Sequence, residues 1–342
     1  MIYNSDPVIF DFLPTRWYTL MFLFGFMICL WLFDKLLKCQ GYSEHKNISN
    51  NFFMFAVAGT IIGARLGHVF FYSWDYFSQN LLEIFQPWKG GLASHGGVIG
   101  MLVATFIFFR IYGAKYNISL WKLFDFLIIP ALLMSALIRF GNFCNSEIVG
   151  IQTQSDKGIV FCGDIYFAAD RSNMPDIYVE KTGKASNGEV PIRCRLVYKE
   201  ANEFAAKSVF AKLSYYTENI ILKHDELNVR RSSNGTWEYS KSGIGILRHP
   251  AQLYECLFYL FLFFVSLLTY KRLFKRSGLC FALFLGLIFL FRFFVEFIKM
   301  EQIEAEKTMT LNIGQKLSIP IVVGCLIIIL FQCFGKFFKK KI

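Results

Sequence analysis

Long apolar runs and short polar connections alternate along most of the chain. Seven of these runs approach the ~20 residues that an α-helix needs to cross the hydrocarbon core of a bilayer. A polar stretch of about 100 residues separates the fourth run from the fifth. The predicted fold class is therefore an all-α polytopic membrane protein with seven transmembrane helices and a small extracytoplasmic α+β head. The predicted spans are 17–37, 52–74, 93–111, 120–140, 250–270, 279–298 and 317–334.

The same pattern divides the chain into three predicted parts. Residues 1–144 form a membrane domain with the first four spans, 145–247 form the head, and 248–342 carry the last three spans and a tail. The first span follows polar residues without a small-residue cleavage site, so it is expected to be retained. The third span opens with His95-Gly96-Gly97, and its outer end is expected to be irregular.

Within the head, residues 190–198 alternate between apolar and polar and predict a strand, whereas 201–223 show a helical pattern. Cys162 and Cys194 are expected either to pair as a disulfide or to remain two buried thiols. The head carries 13 Lys or Arg and 13 Asp or Glu. This balance disfavours nucleic-acid binding, which needs a basic face.

Composition agrees with a membrane protein. Hydrophobic residues make up 55% of the chain, aromatic residues make up 18%, and the mean hydropathy is +0.42. So much apolar surface demands burial, which excludes a disordered chain. Nine cysteines in 342 residues are too dilute for a small disulfide-rich scaffold.

Basic residues are concentrated in alternate connections between the spans. One set of connections holds 14 Lys or Arg, and the opposite set holds 5. Because the richer set marks the cytoplasmic side, the N-terminus is expected outside the cell membrane and the C-terminus in the cytoplasm. The richer set is 35–50, 110–122, 271–276 and 336–341, and the poorer set is 1–16, 75–92 and 299–316.

Ionisable side chains at membrane depth are costly and need a partner or a function. With the predicted orientation, nearly all of them fall in the outer half of five separate spans, so we predict a polar cavity that opens toward the outer leaflet. Asp125 lies alone on the inner side and is expected to pair with Lys122. The cavity residues are Arg65, His68, His95, Arg139, Arg248, Gln252, Glu255, Arg292 and Glu296.

Helical spacing groups some of these residues. Arg248, Gln252 and Glu255 lie at positions i, i+4 and i+7, so they are predicted to share one face of the fifth span. Arg292 and Glu296 lie four residues apart and are expected to pair.

The end of the fourth span carries another polar group. Arg139, Asn142 and Asn145 follow at intervals of three residues, and Gly141 is expected to end the helix there. Arginines outnumber carboxylates four to two among the outer-half groups. A surplus of guanidinium in a low-dielectric pocket requires an anion, and guanidinium binds phosphate through two parallel hydrogen bonds. A phospholipid phosphate is the predicted ligand, and His95 is the candidate general base.

Structural roles remain open for several of these residues. Arg292 and Glu296 can form a purely structural pair, Arg65 can hold a neighbouring carbonyl, and His68 can be a packed core residue. No His-x-x-x-His, Cys-x-x-Cys or phosphate-loop motif occurs in the sequence. The sequence therefore predicts no metal and no cofactor.

Taken together, these motifs resemble the prolipoprotein diacylglyceryl transferase family. They follow the family's order over all seven predicted spans. The matching stretches are Arg16-Trp17-Tyr18, Gly63-Ala64-Arg65-Leu66-Gly67, His95-Gly96-Gly97-Val98-Ile99-Gly100, Arg139-Phe140-Gly141-Asn142-Phe143-Cys144-Asn145-Ser146-Glu147, Arg248-His249-Pro250-Ala251-Gln252-Leu253-Tyr254-Glu255, Arg292-Phe293-Phe294-Val295-Glu296-Phe297 and Gly314-Gln315-Lys316-Leu317-Ser318-Ile319-Pro320.

The resemblance implies an enzyme of the bacterial inner membrane, with phosphatidylglycerol and the lipobox cysteine of a prolipoprotein as substrates. Diacylglyceryl would pass to the cysteine thiol, and glycerol phosphate would leave. It implies that Arg139 binds phosphatidylglycerol. The expected catalytic residues are His95, Arg139, Glu147 and Arg248, and the expected substrate-binding residues are Arg139, Asn142, Asn145, Tyr18, Gln252, Glu255 and Arg65.

The chain also departs from the family. His68 stands where many members have tyrosine, Thr19 stands where glycine is usual, and the segment 156–245 looks longer than the usual head. Two other functions are open from the residues alone. One is an anion or lipid transporter that uses the arginine-lined cavity, and the other is a scaffold that docks lipoproteins through its head.

Overall fold

The computed structural model describes residues 1–10, 13–169, 173–223, 226–300 and 309–338. Seven helices in this part of the chain are long and apolar enough to cross a membrane, which confirms the predicted spans in number and order. The predicted tail residues 339–341 lie outside the described residues. The helices are α1 (Trp17–Cys39), α2 (His45–Tyr72), α3 (Trp74–Phe77), α4 (Ser94–Tyr116), α5 (Leu120–Cys144), α6 (Gly163–Ala168), α7 (Glu203–Tyr216), α8 (Ala251–Leu273), α9 (Leu279–Val295) and α10 (Ile313–Phe338).

Large apolar side chains remain exposed along the long helices. Met27 on α1 and Leu268 on α8 are 72% and 85% exposed. In water such surfaces would drive association, whereas in a bilayer they contact acyl chains. The long helices are therefore membrane spans.

The described residues form two compact units. Each long helix is built from a sequence that is apolar on most of its surface, so the polar residues that remain mark internal contacts. The first unit contains Met1–Gly25, Leu132–Leu262 and Gly286–Gly324, and the second contains Phe26–Ala131, Phe263–Leu285 and the described residues from Cys325 onward.

In the second unit, α2 and α4 approach closely through glycines. A Cβ added at Gly63 would lie 2.6 Å from the Cα of Gly100, and one added at Gly67 would lie 2.7 Å from the Cα of Gly96. Small residues at such positions allow two membrane helices to come together. The expected irregular start of the third span is wrong, because α4 is regular from Ser94.

Asp125 has a structural role in the second unit. Its carboxylate accepts hydrogen bonds from the backbone N–H groups of Gly278 at 2.7 Å and Phe281 at 2.9 Å. These donors stand at the start of α9, where helical N–H groups lack partners. Lys122, its predicted partner, donates instead to the carbonyl oxygen of Phe274.

The first unit includes a small α+β head. One sheet has the strand order β5-β6-β9-β7, and β8 also pairs with β9. The strands are β1 (Ile2–Tyr3), β2 (Val8–Phe10), β3 (Leu13–Arg16), β4 (Val160–Phe161), β5 (Asp176–Lys181), β6 (Glu189–Tyr198), β7 (Ile220–Leu222), β8 (Asn228–Arg231) and β9 (Trp237–Ile246).

Two predictions within the head can be compared with these strands. The strand predicted over 190–198 is confirmed as β6, whose alternate residues are buried. The helix predicted over 201–223 is confirmed only for α7, because the backbone becomes extended at Thr217 and enters β7.

Cys162 and Cys194 are free and fully buried thiols in the apolar core of the head. The predicted disulfide is therefore not formed in this structure, and the alternative of two buried thiols is observed. Buried free cysteines pack as small apolar side chains. Burial raises the pKa of Cys194 to about 12 and raises the pKa of Cys162 well above its ordinary value.

Candidate active site

A buried ion pair stands at the end of α5. The Nε atom of Arg139 lies 3.0 Å from the Oε2 atom of Glu255, which belongs to the second turn of α8. The Glu255 side chain is fully buried and that of Arg139 is 13% exposed. Arg139 also donates from Nη1 to the Oδ1 atom of Asn142, one turn along α5. The pair brings the end of α5 next to the beginning of α8.

The charged cluster continues beyond Glu255. Lys299 directly follows the short 3₁₀ turn Glu296–Ile298 at the end of α9. Its Nζ atom lies 3.1 Å from Glu255 Oε2 and 3.1 Å from Glu296 Oε1. Arg292 contacts Glu296 at 3.4 Å, which confirms that predicted pair. Cations and carboxylates therefore alternate along one chain of contacts.

Among the residues that the structure describes, the cluster has a surplus of positive charge. Arg139, Lys299 and Arg292 supply three cations, whereas Glu255 and Glu296 supply two carboxylates. A buried charge without a counter-ion is strongly unfavourable. The net charge of the cluster therefore favours one bound anion.

Glu147 lies beside this cluster on a strained segment. Its neighbours Ser146 and Ile148 have φ values of +58° and +57°, a region that non-glycine residues rarely adopt and that is most costly for a β-branched residue. The Glu147 carboxylate contacts three donors. Oε2 accepts from Asn142 at 3.4 Å, and Oε1 accepts from Asn145 and from Arg16, each at 3.3 Å.

Two buried amide oxygens near Glu147 have no hydrogen-bond donor among the described residues. They are Oδ1 of Asn145 and Oε1 of Gln252. Gln252 is fixed because its Nε2 atom donates to the Glu147 carbonyl oxygen at 2.6 Å. Since buried polar atoms are nearly always paired, these two acceptors indicate a ligand that brings hydrogen-bond donors.

Tyr18 lies in the first turn of α1. It is within electrostatic reach of both Arg139 and Glu147. The close packing of α1 against α5 depends on Gly141, where an added Cβ would lie 2.8 Å from the Cα of Tyr18. The expectation that Gly141 ends the helix is therefore wrong, because α5 continues to Cys144.

Arg248 occupies a different position from the predicted one. It precedes α8, and its backbone forms bridges with Gln152 and Ile159. Pro250 disfavours helical conformation at His249, and α8 begins only at Ala251. Arg248 therefore lies outside the helix and does not share a face with Gln252 and Glu255.

The side chains of Arg248 and Arg139 have different hydrogen-bond partners. Its Nε atom donates to Asn219, and its Nη2 atom donates to the Glu218 carbonyl oxygen at 3.1 Å. No partner is shared between Arg248 and Arg139 among the described residues. The expected grouping of these two guanidinium groups is thus not seen.

Three predicted residues belong to the second unit. The guanidinium of Arg65 is buried and donates to four backbone carbonyls in the connection between α2 and α4. His68 stacks on Tyr72 and contacts Ser73, which agrees with its alternative as a packed residue. His95 lies in the first turn of α4 and is exposed.

The structure brings most predicted polar residues of the first unit together at one end of its helices, the end that carries the head. Lys299, Arg16 and Tyr259 belong to the same network and were not predicted as site residues; the Tyr259 hydroxyl donates to Glu255 Oε1 at 3.1 Å. Lys299 follows Glu296 by three residues, and this helical spacing was a usable signal. The predicted members of the network are Tyr18, Arg139, Asn142, Asn145, Glu147, Gln252, Glu255, Arg292 and Glu296.

Comparison with known proteins identifies the family. A phosphatidylglycerol–prolipoprotein diacylglyceryl transferase of Chloroherpeton thalassium is 30% identical to the chain, and the match covers 96% of the chain and 93% of that protein. Proteins of the same name from Tolumonas auensis and Porphyromonas gingivalis are 28% and 31% identical, and these matches cover 96% and 94% of the chain and 96% and 91% of the two proteins. These names give no support to the transporter alternative.

The family model described as prolipoprotein diacylglyceryl transferase matches residues 7–331, a range that runs from the N-terminal strands through the head and into α10. The chain therefore belongs to the prolipoprotein diacylglyceryl transferase family.

Proposed function

We propose that this chain transfers diacylglyceryl from phosphatidylglycerol to the lipobox cysteine thiol of a prolipoprotein, the first step of bacterial lipoprotein maturation. The thiol loses its proton to a base, and the thiolate attacks the terminal glycerol carbon that carries the phosphate. The new bond is a thioether, and the bond between that carbon and the phosphate oxygen breaks. Its electron pair stays on the oxygen, and glycerol phosphate leaves with an additional negative charge.

The positive surplus of this largely buried cluster, counted over the described residues, is the observation that carries this proposal. The phosphodiester of phosphatidylglycerol supplies one negative charge, which matches the surplus. Arg139 is the proposed phosphate ligand because its planar guanidinium can donate two hydrogen bonds to phosphate oxygens. The same charge stabilises the leaving group as its negative charge grows.

The unpaired amide oxygens suit the other part of the lipid head group. Asn145 Oδ1 and Gln252 Oε1 are acceptors, and the terminal glycerol of phosphatidylglycerol has two hydroxyl donors. We assign these oxygens to the head-group hydroxyls. Asn142 joins the two halves of the site, because it accepts from Arg139 and donates to Glu147.

His95 and Glu147 are the two candidate bases. A thiol has a pKa of ~8.5 and needs a base to react at neutral pH. His95 is exposed at the start of α4, which leaves its ring accessible to a peptide substrate. Glu147 is partly exposed and presented by a strained segment, a feature that often accompanies active sites. His95 is the assigned base, and Glu147 is the alternative.

The remaining residues have supporting roles. Arg248 is proposed as a second phosphate ligand, and Tyr18 as a contact to the lipid between Arg139 and Glu147. Glu255 orients Arg139 through their ion pair. Arg65 donates hydrogen bonds to the connection between α2 and α4. Its proposed role in substrate binding is indirect, because it fixes the conformation of that connection.

We further propose that the protein lies in the bacterial inner membrane, with its N-terminus outside, its C-terminus in the cytoplasm and its site toward the outer leaflet. The 14 to 5 distribution of Lys and Arg between the two sides supports this orientation. Phosphatidylglycerol in the outer leaflet then reaches the site from the membrane, and the lipobox peptide reaches it from the same side.

The direct test uses purified protein, phosphatidylglycerol and a lipobox peptide, with mass spectrometry of the peptide. A mass gain of one diacylglyceryl on cysteine is expected. Arg139→Ala and His95→Gln should each lower the rate at least about a hundredfold, in the range of lost electrostatic or acid–base catalysis. Arg139→Lys should remain poor, because lysine cannot bind phosphate in bidentate geometry. Movement of lipid between leaflets without peptide modification would reject the transferase and select a transporter.

A further inference from the structure

The head contacts Arg248 through the connection between α7 and β7. Besides the two hydrogen bonds from Nε to Asn219 and from Nη2 to the Glu218 carbonyl, Nη2 lies 3.9 Å from the Glu218 carboxylate. The Arg248 side chain is only 8% exposed. Among the described residues no acceptor contacts Nη1.

Asn219 is itself fixed on every side. Its Nδ2 atom donates to Asp164 Oδ2 at 2.9 Å, and its backbone oxygen accepts from Ile246 at 2.9 Å. Its backbone N–H donates to the hydroxyl of Thr217 at 3.1 Å, and that hydroxyl donates to the same Asp164 oxygen at 2.6 Å. Because a carboxylate accepts only, Asp164 forces the amide nitrogen of Asn219 toward itself and the amide oxygen toward Arg248.

The electrostatics agree with this geometry. Burial lowers the pKa of Arg248, and the charges of Glu218 and Asp164 oppose that effect. A buried guanidinium that lost these partners would be strongly destabilised or would turn toward solvent. The orientation of Arg248 therefore depends on side chains that belong to the head.

We propose that Asp164 and Asn219 are positioning residues for Arg248: they fix its guanidinium through the Nε and Nη2 side and leave its Nη1 donors for the lipid phosphate. This inference rests on the proposed function, because it requires that Arg248 binds phosphate. It gives the head, which looked longer than usual in the sequence, a part in the reaction. The head is then a support for the phosphate site as well as a surface outside the membrane.

The test is a double-mutant cycle in the transferase assay, with Asn219→Leu, Arg248→Lys and the double variant. If Asn219 acts through Arg248, Asn219→Leu should raise the KM for phosphatidylglycerol at least about fivefold, or ~1 kcal/mol. It should add little further effect to Arg248→Lys, which already lacks the Nε donor. If Asn219→Leu only unfolded part of the protein, it would lower kcat and leave KM unchanged. In the double variant its fold-effect would then multiply with that of Arg248→Lys.

A partner exchange provides the rescue. Asn219→Asp alone places two carboxylates against each other and should raise KM. Adding Asp164→Asn restores a donor at position 164 and keeps an acceptor beside Arg248, so KM should return to within about twofold of the original value. Asn202→Leu is the matched control, because Asn202 caps α7 in the same head and has no hydrogen bond to Arg248. It should lower the melting temperature and leave KM unchanged.

The outcomes separate this inference from the proposed function. Absence of lipidated peptide from the unmodified protein would reject the function itself. An active protein whose Arg248→Lys variant has normal kinetics would reject the phosphate role of Arg248 and with it this inference. An impaired Arg248→Lys variant beside a normal Asn219→Leu variant, or an exchange that fails to restore KM, would overturn only the role of the head residues.

Discussion

Lys299 and Arg139 share one oxygen atom of Glu255. The Lys299 Nζ atom lies 3.1 Å from Glu255 Oε2, and the Arg139 Nε atom lies 3.0 Å from the same oxygen. A carboxylate divided between two cations neutralises neither of them fully. Lys299 thereby leaves part of the Arg139 charge available to an anion, although it does not have to touch the substrate.

Replacing Lys299 by methionine should weaken substrate binding. The cluster would lose its positive surplus, and Glu255 would pair with Arg139 alone. We expect kcat/KM for phosphatidylglycerol to fall at least about tenfold, which corresponds to ~1.4 kcal/mol. Thermal unfolding in detergent should also show destabilisation, because removal of one partner of a buried pair is unfavourable.

Two matched variants make this measurement specific. Lys299→Arg keeps the charge and should retain most of the activity. Lys316→Met removes an exposed lysine of the same unit whose Nζ atom contacts the sulfur of Met309, and it should behave like the unmodified protein. Equal activity of Lys299→Met and Lys316→Met would show that the surplus charge does not matter.

The pH dependence of the reaction should carry a signature of Lys299. Burial lowers the pKa of Lys299, although the nearby charge of Glu255 acts in the opposite direction. A lowered pKa means that the ammonium loses its proton at a lower pH. The surplus positive charge of the cluster therefore disappears at a pH below the ordinary lysine pKa. The alkaline limb of kcat/KM should therefore begin below pH ~10.4, the ordinary value.

Lys299→Arg tests the origin of that limb. Arginine keeps its proton throughout the accessible range, so the alkaline limb should move to higher pH in this variant. The acidic limb, which reports the thiol and its base, should stay in place. An alkaline limb that is identical in both proteins would assign it to another group.

Contacts in the network around Arg139 were predictable from the sequence where both residues lie on the same helix. Arg292 and Glu296 were paired from their spacing, and the polar residues at the ends of separate spans were grouped from the orientation of those spans. The predicted position of Arg248 was wrong because α8 begins after Pro250, so the helix does not extend back to Arg248. Helical spacing could not show this, since it assumes that the helix continues.

Contacts between distant parts of the chain were not predictable from one sequence. Nothing in the pattern of residues 201–223 indicates that Asn219 meets Arg248, because the connection depends on how β7 pairs with β9. In the sequence, Lys299 served only as one of the basic residues in the connection 299–316, which was used to predict the orientation of the spans. Its burial follows from the packing of α8 against the end of α9, which the sequence does not report.

The strained residue Ser146 offers a stability test. Its φ of +58° costs ~1–2 kcal/mol for a residue with a Cβ atom, but not for glycine. Its hydroxyl is also buried without a partner among the described residues. Ser146→Gly should therefore raise the stability by about 1 kcal/mol, after the larger chain entropy of unfolded glycine is included.

Ser208→Gly is the control for Ser146→Gly. Ser208 lies inside α7, where glycine is less favourable than serine by about 0.5 kcal/mol. The two substitutions should shift the melting temperature in opposite directions. A decrease in both would show that the backbone at Ser146 is not strained in solution.

The glycine contact between α2 and α4 gives the last prediction. A Cβ at Gly100 would lie 2.8 Å from the Cα of Gly63, so Gly100→Ala requires the two helix backbones to separate. Such overpacking should cost about 1–3 kcal/mol and lower the melting temperature in detergent. Gly324→Ala, at a helical position with no atom within 4 Å of the added Cβ, should leave the melting temperature unchanged or slightly raised. Equal effects of the two substitutions would mean that α2 and α4 do not rely on close backbone contact.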